Sequence, residues 1–72
     1  MDTTKRTAAA VEAARIEKGM TRLELSEASG IPRPTLYRRL DGHVPFDIDE
    51  LERVANALGV DPVTLPKFAA VA

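Results

Sequence analysis

A chain of 72 residues with 10 Lys+Arg against 11 Asp+Glu has room for one small domain and carries no strong charge of either sign. Its 44% apolar and 29% charged residues are ordinary for a soluble globular fold and unlike a disordered tail. The lack of cysteine excludes a disulfide framework and a thiolate metal site, and no apolar run approaches the roughly 18–20 residues of a membrane span.

No cationic start followed by an apolar stretch suggests a signal peptide, and most enzymes need more chain than this to bury a substrate cleft. A cytoplasmic binding module is therefore expected, with no catalytic residues, no cofactor and no membrane partner.

In chain order, residues 4–18 form an alanine-rich helix with Val11, Ala14 and Ile16 as its apolar positions, ended by Gly19. Thr21-Arg22-Leu23-Glu24 fits a capping box, flanked by Met20 and Leu25 as a hydrophobic staple, and Gly30 closes this second helix after Ser29. A third helix covers residues 32–41. Pro34 is tolerated there because first-turn amides have no intrahelical partner to lose, and Leu36 and Leu40 share one face. Asp47-Ile48-Asp49-Glu50 repeats the capping logic, with Phe46 and Leu51 as staple. Leu51, Val54, Ala55 and Leu58 then give an inward stripe up to Gly59. A short fifth helix is predicted from Asp61 as cap and Pro62 at the first helical position, stopped by Pro66. No segment alternates over strand length. The expected fold is all-α, a single domain of four to five helices spanning residues 1–72.

Residues 21–42 are the informative stretch. Two short helices meet at Ser29-Gly30-Ile31, where Gly30 supplies the positive φ and Ile31 an apolar plug, and the small Ser26 lies where the helices cross. That pattern is the helix-turn-helix, whose second helix enters the DNA major groove.

At this point the sequence resembles the Cro and phage-repressor type of helix-turn-helix regulators, the lambda-repressor-like or XRE family. Three stretches match in order and spacing: Arg15-Ile16-Glu17-Lys18-Gly19-Met20-Thr21, Leu25-Ser26-Glu27-Ala28-Ser29-Gly30-Ile31 and Thr35-Leu36-Tyr37-Arg38-Arg39-Leu40-Asp41-Gly42. Leu51-Glu52-Arg53-Val54-Ala55-Asn56-Ala57-Leu58-Gly59-Val60-Asp61-Pro62 looks like the family's fourth helix and following turn, so the resemblance covers about residues 8–65. It departs at Ser26 and Ser29, where the family often has alanine and a larger aliphatic, implying a thinner core. It departs again at Arg22, which replaces a frequent glutamine. The resemblance implies a phage or prokaryotic transcriptional regulator, a Cro-like repressor working as a homodimer on a two-fold operator in double-stranded DNA. Such a protein is cytoplasmic, and nucleoid-associated when bound. Nothing in the chain suggests a small-molecule effector, and occlusion of a promoter is the simplest mechanism.

The residues themselves also support DNA binding. Around the third helix, at 100° per residue, Leu36 and Leu40 define the inward direction. Pro34 and Arg38 point away from it, Thr35, Tyr37 and Arg39 lie on the flanks, and Arg33 lies nearer the inner edge but can reach forward from the first turn. Arginine is shaped to contact guanine O6 and N7 together, and Pro34 offers an apolar surface to a thymine methyl. Arg33, Pro34, Tyr37 and Arg38 are the candidate base contacts. Thr21, Arg22, Thr35, Arg39 and His43 are the candidate phosphate contacts, and Tyr37 fits either role. Residues 1–43 carry 8 Lys+Arg against 6 Asp+Glu and residues 44–72 carry 2 against 5, so the motif lies in the basic half. The weak field implies release of only about 3–5 counterions per half-site.

Other charged residues have structural readings. Arg15 can pair with Glu12, Glu24 or Glu27. His43 has no companion metal ligands, and Asp47, Asp49, Glu50 and Glu52 suit a helix's first turn better than paired-carboxylate chemistry. Leu23 is expected on the outer side of its helix, either packed sideways or facing a partner. Val63, Leu65, Phe68 and Val71 make residues 62–72 apolar enough either to fold back over the core or to seal a homodimer. The competing hypothesis is a protein-interaction module, antitoxin- or antirepressor-like, using Leu23 and this tail.

Overall fold

Three of the four helices among the described residues start on a side chain that takes up an orphan amide. The structure, a computed structural model, describes residues 2–62. It contains α1 (Thr3–Glu17), α2 (Arg22–Ser29), α3 (Arg33–Leu40) and α4 (Ile48–Leu58), with no strand among the described residues. Asp2 accepts from the amide of Lys5 at the head of α1. Both expected capping boxes form. In α2 the Thr21 hydroxyl accepts from the Glu24 amide (3.0 Å) while the Glu24 carboxylate accepts from the Thr21 amide (2.8 Å). In α4 Asp47 and Glu50 do the same at 2.7 and 3.0 Å. Helix α3 has no side-chain cap; Pro32 precedes it and Pro34 occupies its first turn, where a missing amide costs nothing.

The Glu24 cap makes stability depend on acid. Hydrogen bonds from Thr21 hold the Glu24 carboxyl below its ordinary value of 4.5. A depressed folded value means the contribution is fully present above 4.5 and is lost as pH falls through the lowered value. Thermal midpoints followed into acid should therefore fall less steeply for Glu24→Gln than for the parent. Parallel curves would show that the cap is not linked to protonation.

One core gathers the apolar faces: Val11 and Ala14 of α1, Leu25 of α2, Ile31 of the turn, Leu36 and Leu40 of α3, Phe46 of the following loop, and Val54, Ala55 and Leu58 of α4. Met20 and Leu51, each one half of an expected staple, pack against it partly buried. α2 lies mainly on α4, while α1 packs on α3 and more lightly on α4. Ile16 is a correction to the expected apolar face of the first helix, since it stands 65% exposed. At 100° per residue it lies about 140° from Val11 and about 160° from Ala14, so it cannot share their side. Alanines 8 and 10 are buried instead.

The turn between α2 and α3 is held by serine hydroxyls. Gly30 adopts φ 75° and its amide reaches the Ser26 carbonyl at 3.0 Å. The Ser26 hydroxyl donates to the Ile31 carbonyl at 2.6 Å, and the Ser29 hydroxyl accepts from the Ile31 amide at 3.3 Å. Both serines are buried. What appears in the sequence as a thinner core is a polar tie that satisfies the turn's own backbone.

After α3 the chain turns through Gly42 (φ 78°), where the amides of Gly42 and His43 return to the carbonyls of Arg39 and Arg38 at 3.1 Å each. A Cβ here would also press on the Lys5 side chain at 3.3 Å. α4 closes at Gly59. Of the expected short fifth helix, which starts at Asp61 and Pro62, the residues from 63 on lie outside the described residues.

Candidate nucleic-acid interface

Helix α3 is seated by Leu36 and Leu40 and presents its opposite side to solvent. Arg33, Pro34 and Arg38 are exposed, while Thr35, Tyr37 and Arg39 are half-buried. Pro34 and Arg38 owe their exposure to facing away from the two leucines, whereas Arg33, about 40° from the inward direction, is exposed at the open first turn of the helix. Arg33 and Arg38 form no ion pair among the described residues, so both guanidinium groups are available to an outside acceptor. The four base-contact candidates thus share one helix, with three of them exposed.

The five phosphate-contact candidates fare differently. His43 is exposed immediately after α3, and Thr35 is half-buried on it. Thr21 is exposed at the head of α2, where its hydroxyl oxygen accepts from the Glu24 amide. Arg22 and Arg39 are already engaged within the fold. Arg22 pairs with Glu12 of α1 and with Asp41 after α3, each at 3.0 Å, and its guanidinium lies 5.6 Å from the centre of the Tyr37 ring. Partial burial opposes its charge, but the hydrogen bond to Asp41 and the attraction of Glu12 and Asp41 outweigh that and raise its pKa above the ordinary arginine value. Arg39 pairs with Glu50 of α4 at 3.0 Å. Arg15 takes the first of its three possible partners, Glu12, and also donates to the Met20 carbonyl at 2.8 Å.

Leu23 is 44% exposed on α2, and Ile48 at the head of α4 is 82% exposed. Sequence patterning did not single out Ile48, because a first-turn aliphatic beside a capping aspartate has the same local signature whether covered or bare. Val63, Leu65 and Phe68, the candidate partner-facing residues of the tail, lie outside the described residues. Among the described residues no group of three His, Cys, Asp or Glu side chains is placed to hold a metal ion, and no helix is long and apolar enough to cross a membrane.

Two short helices joined by a glycine turn, the second seated by two leucines with free arginines outward, define a helix-turn-helix domain. A model of the helix-turn-helix family matches residues 11–65, and the chain belongs to that family, in its XRE branch. Among solved structures it is similar to the crystal structure of the clp gene regulator ClgR from C. glutamicum. The TM-score is 0.86 and the identity 29%, covering 94% of this chain and 88% of that one. No curated protein matches the sequence. The family and fold are those of transcriptional regulators, which are not enzymes, and the family match and this neighbour support a DNA-binding transcriptional regulator.

Proposed function

We propose that this protein is a sequence-specific regulator that reads double-stranded DNA through the major groove with α3. The observation carrying this reading is a pair of exposed guanidinium groups free of ion pairs among the described residues, Arg33 at the first turn and Arg38 on the outward side of a helix locked from beneath by Leu36 and Leu40. In this reading Arg33 and Arg38 contact guanine edges, Pro34 meets a thymine methyl and Tyr37 lies along the groove wall. Thr21, Thr35 and His43 grip the flanking phosphates. The similar ClgR is a gene regulator by its own description, and regulation of transcription is the corresponding role here.

The finer parts of the proposal concern assembly and mode of action. A Cro-like homodimer would engage half-sites about one helical turn, roughly 34–36 Å, apart. Repression would follow from covering a promoter in the cytoplasm of a prokaryotic or phage-infected cell, without cofactor or small-molecule effector. Phe68→Ser should shift the dimer towards monomer in sedimentation at fixed concentration. An unchanged mass would remove the tail from the interface.

Selection of preferred duplexes from a random pool, followed by a salt titration on the winner, tests the main reading. A site with two-fold symmetry is expected, together with an affinity that falls linearly on a log–log salt plot at about 0.9 per phosphate contacted. Failure to bind any duplex at low salt would instead favour the protein-interaction module, for which the exposed Leu23 is the specific observation.

A further inference from the structure

We infer that Glu50, on α4 and outside the helix-turn-helix itself, is a specificity-positioning residue that acts through Arg39 to fix how α3 is rolled about its own axis. The inference rests on the DNA-binding reading above. Leu36 and Leu40 set the inward direction of α3 along a narrow seam, with Tyr37 packed partly buried against the same core, and a helix seated on so narrow a seam can roll. Taking the bisector of the two leucines as inward, Tyr37 and Arg39 lie about 80° to either side of it. Each flank is held by a different neighbour. On one side the Tyr37 ring is covered by Arg22 of α2 at 5.6 Å; on the other Arg39 Nε donates to Glu50 Oε1 of α4 at 3.0 Å. Arg38, at about 180° from the bisector, is the side chain whose direction this pair of holds determines.

The Arg39–Glu50 pair is built as a positioning contact. Its side chains are only 20% and 13% exposed, which sets it apart from a loose surface pair. The same Glu50 oxygen also accepts from the Asp47 amide at 3.0 Å, and the Glu50 amide donates to Asp47 at 2.7 Å. The carboxylate is therefore immobilised by the α4 capping box before Arg39 meets it. A directional Nε–H bond to an immobile acceptor orients the guanidinium plane, and with it the flank of α3. Arg39 is thereby spent on the fold, although a solvent-facing arginine on a recognition helix reads as a phosphate ligand.

Glu50→Gln separates these roles by sign. Glutamine preserves the capping box, since its amide oxygen accepts from the Asp47 amide, but it removes the charge that holds Arg39. If Arg39 positions α3, the variant should keep its helicity and salt slope. It should lose severalfold in discrimination between the preferred duplex and a scrambled one, even though a negative charge has been removed. If Arg39 is a phosphate ligand, freeing it should raise affinity for both duplexes alike with discrimination intact, and that result overturns the inference. Should Glu50→Gln fail to fold, Arg39→Lys decides. Lysine keeps a phosphate-binding charge but lacks the Nε–H geometry, so lost discrimination at constant salt slope supports positioning and unchanged binding overturns it. If the parent protein binds no duplex at all, the DNA reading itself has failed, which is distinguishable from either variant result.

Discussion

Leu36→Ala should cost about 2–5 kcal/mol, the range for emptying a closed core site of a leucine side chain. Leu36 has 0% exposure and belongs to the cluster formed with Val11, Leu25, Ile31 and Val54 from the other elements. A domain of this length has only about 4–11 kcal/mol of total stability, so the loss is a large fraction of the whole. Each kcal/mol corresponds to about 4–8 °C in the thermal midpoint of a domain this small. The midpoint in urea should fall with little change of slope, since the variant still exposes nearly the same surface on unfolding. A loss below about 1 kcal/mol would mean that the neighbouring helices collapse into the gap and that the seat of α3 is softer than its burial indicates. Because Leu36 carries α3, the helix proposed to read the duplex, binding should be measured below the variant's midpoint to separate unfolding from misplacement.

Arg38→Ala is expected to leave stability nearly unchanged and to cost about 1–3 kcal/mol in binding, a loss of about 5- to 150-fold, concentrated at one base-pair position. The two halves of this expectation have one cause. Arg38 is exposed, forms no ion pair among the described residues and faces away from the Leu36–Leu40 seam, so its removal takes nothing from the fold. Base-resolved affinities for the variant should show a relaxed preference at that position and the parental preference elsewhere. A uniform loss over all sequences would reassign Arg38 to the phosphate backbone. Its neighbour Arg39 should behave in the opposite way. Truncating it leaves the half-buried Glu50 carboxylate without its cation, and stability falls before any DNA is added.

The contrast between these adjacent arginines marks the limit of reading along the chain. Both are basic, both follow the turn residues of the motif, and both carry the same signature of a phosphate- or base-facing side chain. Arg39 finds its acceptor 11 residues away and Arg22 finds Glu12 at a separation of 10, across loops whose course depends on how the helices cross. No rule of local spacing joins such pairs, because the same charges would find other partners at another crossing angle. Ile16 failed for a related reason. It follows two true core positions closely in sequence but points to the far side, and the alanines that replace it in the core carry little hydrophobic signal.

Local chemistry, by contrast, was legible residue by residue. Both capping boxes, the left-handed Gly30, the Ile31 plug, the Leu36–Leu40 seam and the outward direction of Pro34 and Arg38 all lie within one helical turn of the residues that specify them. First-turn backbone amides need an acceptor about three residues before them, and a 3.6-residue period leaves one choice of face. Helix existence, helix order and the identity of the helix that exposes Arg33, Pro34 and Arg38 follow from those short-range demands. Which arginines stay free to meet a duplex is a property of the packed assembly, since a charge is committed only when folding brings a carboxylate to within hydrogen-bonding distance and shields the pair from water.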